Sequence, residues 1–387
     1  MKKNNLYIYS EQPATVFQIE KTIKINSKFK NFNIKFISTE KINYSSKDIK
    51  NYLKFTPDKQ IIKNIIKFKN LKEFENFLRK LKKGDLLFVE HRFTTEDKHK
   101  SYDLDLFAKY KVNTIFFGED PWISCNFKKS VLVSLIRLSN RFILKFKKLL
   151  KKNNKSYIPN FITGSGEKAK KNFINKPTAQ NYINLPSFWI DFSKKKNAKN
   201  IVTYVDENIF YSRDLILHQN NSKKISNTNE FLNDLNKFFD LIEMKTNFKV
   251  IICCSKKHNK YDNNLFNKRK IYYGRTLEFI SKSKLVLGHS SEALSQAIYN
   301  KVPVLCLRHK TFDFKRNFVI ESKSTKLFNK NSIFIENYLE NQNNLDLSFD
   351  KRFYKYILHN YFISPSMNFK NFSKQLKTEI EKIKLNN

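Results

Sequence analysis

The residues best suited to chemistry stand together at 288–292, within LVLGHSSEALSQAIYNKVPVLCLRHK (residues 285–310). Gly288, His289, Ser290, Ser291 and Glu292 follow a short apolar run, Leu285 to Leu287, and precede a stripe of Ala293, Leu294, Ala297 and Ile298 at helical spacing. A glycine at a strand exit lets the backbone approach a bound group closely. Two hydroxyls in the first turn of the next helix, beside free backbone N–H groups and the positive end of the helix dipole, make a seat for an anion. The same serines also serve as plain helix caps. Glu292 reads either as an acceptor for a ligand hydroxyl or as a first-turn acid that complements the dipole. His289 is a ligand contact or a satisfied loop histidine. Gly274, Arg275 and Thr276 close another apolar run, Ile271 to Tyr273. The chain has only ten arginines, and a guanidinium binds phosphate oxygens bidentately, so Arg275 is a second candidate anion contact. An exposed surface arginine is the alternative.

These residues have to be carried by strands. Short apolar runs recur at Leu6 to Tyr9, Ile34 to Ile37, Leu86 to Val89, Thr114 to Phe117 and Tyr157 to Thr163. A second series follows at Ile201 to Val205, Val250 to Cys254, Ile271 to Tyr273, Leu285 to Leu287 and Val302 to Leu307. Continuous runs alternating with helical patterns predict parallel strands covered on both faces. In NEFLNDLNKFFDLIEM, Phe231, Leu232, Leu235, Phe238, Phe239 and Ile242 mark an amphipathic helix, with Asn227 and Glu230 as its capping start. The polar segment FSKKKNAKN (192–200) suits a linker. The fold class expected is α/β, with two Rossmann-like domains facing a cleft. The boundaries are 1–195, 196–345, and a helical C-terminal tail at 346–387. GSG at 164–166 reads as a loop, since it lacks the full phosphate-loop pattern.

Composition narrows the partners. The chain has 387 residues and a formal net charge of +39, from 74 basic and 35 acidic residues. Part of that excess reflects the Lys, Asn, Ile and Phe bias of an AT-rich genome; the rest attracts phosphate-bearing ligands, anionic lipid or nucleic acid. No nucleic-acid-binding signature stands out, so specific nucleic-acid binding is not expected. The cysteines, Cys125, Cys253, Cys254 and Cys306, lack zinc-finger spacing and fit buried free thiols in a reducing compartment. The N-terminal stretch has no long apolar core, and no window of about 18 apolar residues occurs, so a cytoplasmic protein without a spanning helix is expected. From Ser130, SVLVSLIRLSNRFILKFKKLLKK pairs an apolar helical stripe with a basic face. Residues 130–152 therefore fit either an anionic membrane surface on the inner face of the membrane or a buried helix with a lysine-rich outer face.

Gly288, Ser290, Ser291, Glu292, Ala293, Ala297, Pro303 and Val304, with the preceding IYYGRTLEFISKSKLVLGHSS, resemble the donor-binding part of GT-B glycosyltransferases of bacterial capsule and lipopolysaccharide assembly. The likeness covers roughly 200–310. It implies a metal-independent glycosyltransferase, with a nucleotide sugar (CMP or UDP favoured) as co-substrate, no other cofactor, and a surface glycan or glycolipid as acceptor. Whether the sugar is of hexosyl or sialyl/Kdo type stays open. The paired serines are also similar to a phosphate motif of bacterial GT-B sialyltransferases, whose His-Pro motif is absent here. UDP-sugar 2-epimerases share the architecture, but usually carry Ser-Gly-Gly followed by paired glutamates, against one glutamate here. A noncatalytic polysaccharide-assembly protein is a further alternative. The lack of a distinct Asp-x-Asp motif argues against the metal-dependent donor site of the other large glycosyltransferase fold.

The resemblance also implies a base in the first half to take the acceptor hydroxyl's proton. Asp120 and Glu119 in TIFFGEDPW rank first, then Glu90 and His91 in LLFVEHR; ordinary cap, turn or rim roles are the alternative for each. Trp122 would be a sugar platform, and Glu11, after the first strand, another acceptor contact. In TYVDENIFYSRD, Asp206, Tyr211 and Asp214 would open the second domain as a cleft-lining or structural turn.

Overall fold

The computed structural model describes residues 4–10, 32–47, 49–50, 65–89, 102–117, 160–175, 179–187, 197–207, 226–255, 261–262, 264–341, 347–365, 374–376, 378–379 and 382. The apolar runs do form strands, in two separate parallel sheets. The first holds β1 (Asn4–Ser10), β2 (Phe32–Ser38), β3 (Ile66–Lys67), β4 (Leu86–Val89), β5 (Thr114–Phe117), β6 (Phe161–Gly164) and β7 (Asn181–Asn184) in the order β3-β2-β1-β4-β5-β6-β7. The second holds β8 (Ile201–Val205), β9 (Lys249–Cys254), β10 (Ile271–Tyr273), β11 (Leu285–Gly288), β12 (Val304–Arg308) and β13 (Ile333–Phe334) in the order β10-β9-β8-β11-β12-β13. Three strands, β3, β7 and β13, were not expected. They are two to four residues long and lie at sheet edges, where half-exposed positions leave no continuous apolar run.

Each face of the first sheet has its own core. Leu6, Ile8, Leu86, Phe88 and Ile115 point one way, while Tyr7, Tyr9, Leu87, Val89 and Phe116 point the other. That division is the period of two in a strand buried on both sides. On the second face lie the helices α1 (Glu40–Asn43), α2 (Leu71–Arg79) and α3 (Tyr102–Lys109), with Phe74, Leu78, Leu106 and Phe107 buried. Asn70 caps α2 by accepting the Glu73 N–H at 3.0 Å. The helix α4 (Gly166–Asn175) follows β6.

In the second half the expected amphipathic helix is α5 (Thr228–Thr246), and Asn227 accepts the Glu230 N–H at 3.1 Å as its cap. Its buried face, Phe231, Leu235, Phe238, Phe239, Leu241 and Ile242, joins one large core with the strands. Each such side chain contributes about 1.5–3 kcal/mol of burial. The remaining helices are α6 (Thr276–Ile280), α7 (Ser295–Asn300), α8 (Phe314–Phe328), α9 (Ile335–Asn341) and α10 (Lys351–Ile357). Pro303 lies just before β12, and its carbonyl accepts the Val286 N–H at 3.0 Å. Cys253, Cys254 and Cys306 are buried free thiols within this core.

The C-terminal segment belongs to both halves. Tyr354, Ile357, Tyr361, Phe362 and Ile363 are part of the second core, whereas Leu376 is part of the first. Between them, Ser187 N–H donates to the Phe362 carbonyl at 2.7 Å, and Lys168 Nζ lies 2.5 Å from Tyr361 Oη. Ser364 Oγ donates to Glu167. The GSG turn makes this junction possible: Gly166 has φ +73°, and a Cβ there would overlap the Asn360 carbonyl and the Tyr361 nitrogen. Among the described residues, no helix is long and apolar enough to cross a membrane. Replacing Gly166 by Ala should therefore lower stability by roughly 2 kcal/mol or more, from the left-handed backbone and the overlap together. Chemical denaturation of the two proteins checks this, with Gly288→Ala as a milder comparison because its Cβ would meet only the Leu294 side chain.

Candidate functional site

The order of the second sheet reverses at one place. From β8 the chain moves outward to β9 and β10, then returns to β11 on the other side of β8. Open α/β sheets bind ligands at such a reversal, beyond the carboxyl ends of the strands. Gly288 pairs with Val205, so β8 and β11 end in register. Asp206 and Glu207 thus emerge beside His289 and Ser290.

His289 is wholly buried. Its Nδ1 lies 2.6 Å from the Leu307 carbonyl and its Nε2 lies 2.8 Å from the Tyr204 hydroxyl. A carbonyl only accepts, so Nδ1 carries the proton and Nε2 accepts from the tyrosine. Burial, and then the nearby Arg316 charge, push its pKa down to about 4, which keeps the ring neutral at pH 7. Phe231 and Phe312 pack their rings 5.8 and 5.2 Å from it. His289 accordingly positions the turn and does not face solvent.

Ser290 is the polar centre of the turn. Its backbone N–H and its hydroxyl both donate to the Glu207 carboxylate, the latter at 3.1 Å. Its carbonyl accepts from Lys323 Nζ at 2.5 Å. Arg316 Nη2 lies 3.4 Å from Glu207 Oε2, and its guanidinium stacks 4.6 Å from the Phe312 ring centre. Arg316 and Lys323 both come from α8, whose start is fixed by Asp313 accepting the Arg316 N–H at 2.7 Å. Ser291 caps a short 3-10 turn, Glu292–Leu294, by accepting the Ala293 N–H at 3.3 Å. The serines expected inside the first helical turn therefore precede it, and α7 itself is only six residues long. A Cβ at Gly288 would meet the Leu294 side chain of this turn. Glu292 is exposed in that turn.

Gly274, Arg275 and Thr276 are not gathered into this cluster. They follow β10, three strand positions from β11, or roughly 14 Å at the usual spacing between strands. Gly274 takes φ +69°. Arg275 is paired with Glu278 by two bonds of 2.8 and 2.9 Å, and with Lys282 it holds the Glu278 carboxyl down to about 2. Thr276 starts α6. Asp206 is buried and accepts the Tyr261 hydroxyl at 2.8 Å, a fastening between β8 and the loop after β9. Glu11, Glu90, His91, Glu119, Asp120, Trp122, Tyr211, Asp214, Cys125 and residues 130–152 lie outside the described residues. Contrary to the expectation from the sequence, an Asp-x-Asp does occur, Asp103-Leu104-Asp105, within α3 of the first half. Among the described residues, no group of three His, Cys, Asp or Glu is placed to hold a metal ion.

Glu207, Arg316, Lys323 and His309 were not found from the sequence. Buried His309 ends β12, with Nδ1 2.7 Å from Thr311 Oγ1 and Nε2 3.2 Å from Asp234 Oδ2. The available signal was the acid pair Asp206-Glu207 directly behind a strand, together with the scarcity of arginine.

The architecture has known counterparts. A structure of Phytolacca americana UGT2, complexed with UDP-2fluoro-glucose and pterostilbene, is 9% identical, with 98% of this chain and 99% of that chain covered and a TM-score of 0.52. The fold is GT-B-like. A wall teichoic acid polymerase TagF (H548A) is 9% identical over 99% of this chain and 89% of that one, with a TM-score of 0.49. A UDP-N-acetylglucosamine 2-epimerase is 10% identical over 99% and 96%, with a TM-score of 0.45. No family model matches the chain, and no curated protein matches it by sequence. At these identities the likeness is one of fold.

The buried neutral His289 gives a pH dependence of known sign. Unfolded, the ring takes a proton near its ordinary pKa of about 6.5; folded, it resists until about 4. Between those values the unfolded chain binds more protons, so stability falls as pH falls, by a few kcal/mol in total. Thermal melts between pH 7 and 4 should show a steeper loss for the wild type than for His289→Gln.

Proposed function

We propose that this chain is a glycosyltransferase that moves a sugar from a nucleotide-sugar donor, CMP- or UDP-linked, to a surface-glycan or lipid-linked acceptor. The observation that carries the proposal is the serine turn at the switch point of the second sheet. There Ser290 offers a backbone N–H and a hydroxyl to an anion, with Arg316 and Lys323 close by. A departing nucleotide carries its new negative charge on phosphate, and fixed N–H, hydroxyl and guanidinium donors stabilise that charge without reorganising. In this reading Gly288, Ser290 and Ser291 hold the phosphates, while Glu292 takes a sugar or ribose hydroxyl. Arg275, with Gly274 and Thr276, is spaced for the nucleoside end. His289 sets the turn's geometry from beneath. The base is assigned to Asp120 or Glu119, then Glu90 or His91, with Trp122 and Glu11 on the acceptor. Residues 130–152 would bring the enzyme to an anionic membrane surface where a lipid-linked acceptor resides. The UDP-sugar analogue in the UGT2 structure indicates the class of donor to try first.

A UDP-sugar 2-epimerase reading is less favoured, because the turn is Gly-His-Ser-Ser with a single following glutamate. The two readings separate when purified protein is incubated with UDP-sugars and no acceptor. A new sugar epimer in the absence of acceptor would replace the transferase proposal.

For the donor site, Ser290→Ala with Ser291→Ala should weaken nucleotide-sugar binding by roughly ten- to a hundredfold, as expected for lost hydrogen bonds to a charged group. Calorimetric titration of the folded double variant measures it, and unchanged binding removes the serine turn from the site.

A further inference from the structure

Glu207 sits where a ligand would. Its carboxylate receives the Ser290 N–H and hydroxyl, and Arg316 approaches the same oxygen as the hydroxyl does. Three donors of different origin thus converge on one internal anion. Two features show that the carboxylate does not saturate them. The Arg316 side chain is only 9% exposed, its contact with Glu207 is 3.4 Å, and charge-assisted pairs normally close to about 2.7–2.9 Å. Arg316 Nε is buried with no hydrogen-bond partner among the described residues, although such groups are almost always satisfied. Lys323 also reaches the Ser290 turn, at its carbonyl.

A diphosphate answers that deficit, since it presents four non-bridging oxygens where a carboxylate has two. We propose that Glu207 is an internal stand-in for phosphate, and that a phosphate-bearing ligand binds at Ser290 and Arg316 by displacing the Glu207 side chain. This deepens the donor-site reading of the serine turn and rests on it. The displaced carboxylate leaves Ser290 N–H, Ser290 Oγ and the guanidinium for the incoming phosphate, with Lys323 nearby at the Ser290 carbonyl. The free protein therefore holds its anion seat closed, and ligand affinity is the difference between phosphate and carboxylate in one place. That competition sets an upper limit on affinity which the wild-type residue itself imposes.

The probes are inorganic phosphate, inorganic pyrophosphate, CMP and UDP, titrated calorimetrically at fixed ionic strength into the full chain. Glu207→Gln keeps the shape and removes the competing charge, so it should bind pyrophosphate about tenfold more tightly than the wild type. Arg316→Gln should bind it at least about tenfold more weakly, and the double variant should fall between the two single variants. Glu207→Asp, which keeps the charge but is one methylene too short for Ser290, should also tighten binding and serves if Glu207→Gln fails to fold. Equal or weaker pyrophosphate binding by a folded Glu207 variant overturns the proposal, as does binding indifferent to Arg316. Tightening seen with CMP and UDP but not with pyrophosphate likewise overturns it, since the ligand would then be held through its nucleoside. Tightening by pyrophosphate with no sugar transfer from any nucleotide sugar supports the displacement and sinks the transferase reading alone.

Discussion

The imidazole of His289 bridges the Tyr204 hydroxyl on β8 and the Leu307 carbonyl on β12, with β11 running between them. Three neighbouring strands therefore end in a single hydrogen-bond chain, closed off from water by Phe231 and Phe312. A parallel sheet fixes its strands by main-chain bonds but leaves the first residues beyond each strand free to choose a direction. Here the ring makes that choice. Once His289 points inward, Ser290 must turn the other way, and its N–H, hydroxyl and carbonyl are presented together to Glu207 and α8. The chemistry proposed for the turn depends on a residue that never touches solvent.

The cationic composition divides by residue type. Lysine covers the surface, while five described arginines lie against aromatic rings: Arg316 on Phe312, Arg308 on Phe334, Arg269 on Phe239, Arg275 on Phe279 and Arg79 on Tyr110. A guanidinium is planar and weakly hydrated, so it tolerates burial where an ammonium would not. Arg269 illustrates the structural use, pairing with both Asp240 and Glu243 of α5. Arg316 differs from it in having a single, more distant carboxylate partner. In a chain with such an excess of positive charge, the informative cations are the few that avoid water.

Strands buried on both faces, such as Leu86–Val89 or Val250–Cys254, were legible because every position is apolar. The helix beginning at Thr228 was legible from its stripe and its Asn227 cap. The edge strand Asn181–Asn184 was not, because its burial is uneven and its ends are asparagines. The serine turn could be found locally, since glycine, hydroxyls and a small-residue stripe lie within a dozen residues. Its partners could not. Glu207 is 83 residues before Ser290, and Arg316 is 109 after Glu207; only the folded order of the strands brings them together. Arg275 shows the same limit from the other side. It looked equivalent to Ser290 because both follow strands, yet strand order places β9 and β8 between β10 and β11.

The chain leaves the first sheet at Ser187 and comes back to it after Phe362, and those two residues are bonded to each other. The C-terminal residues also enter both cores, Tyr361 one and Leu376 the other. They act as a clasp: removing them would strip apolar contacts from both halves at once.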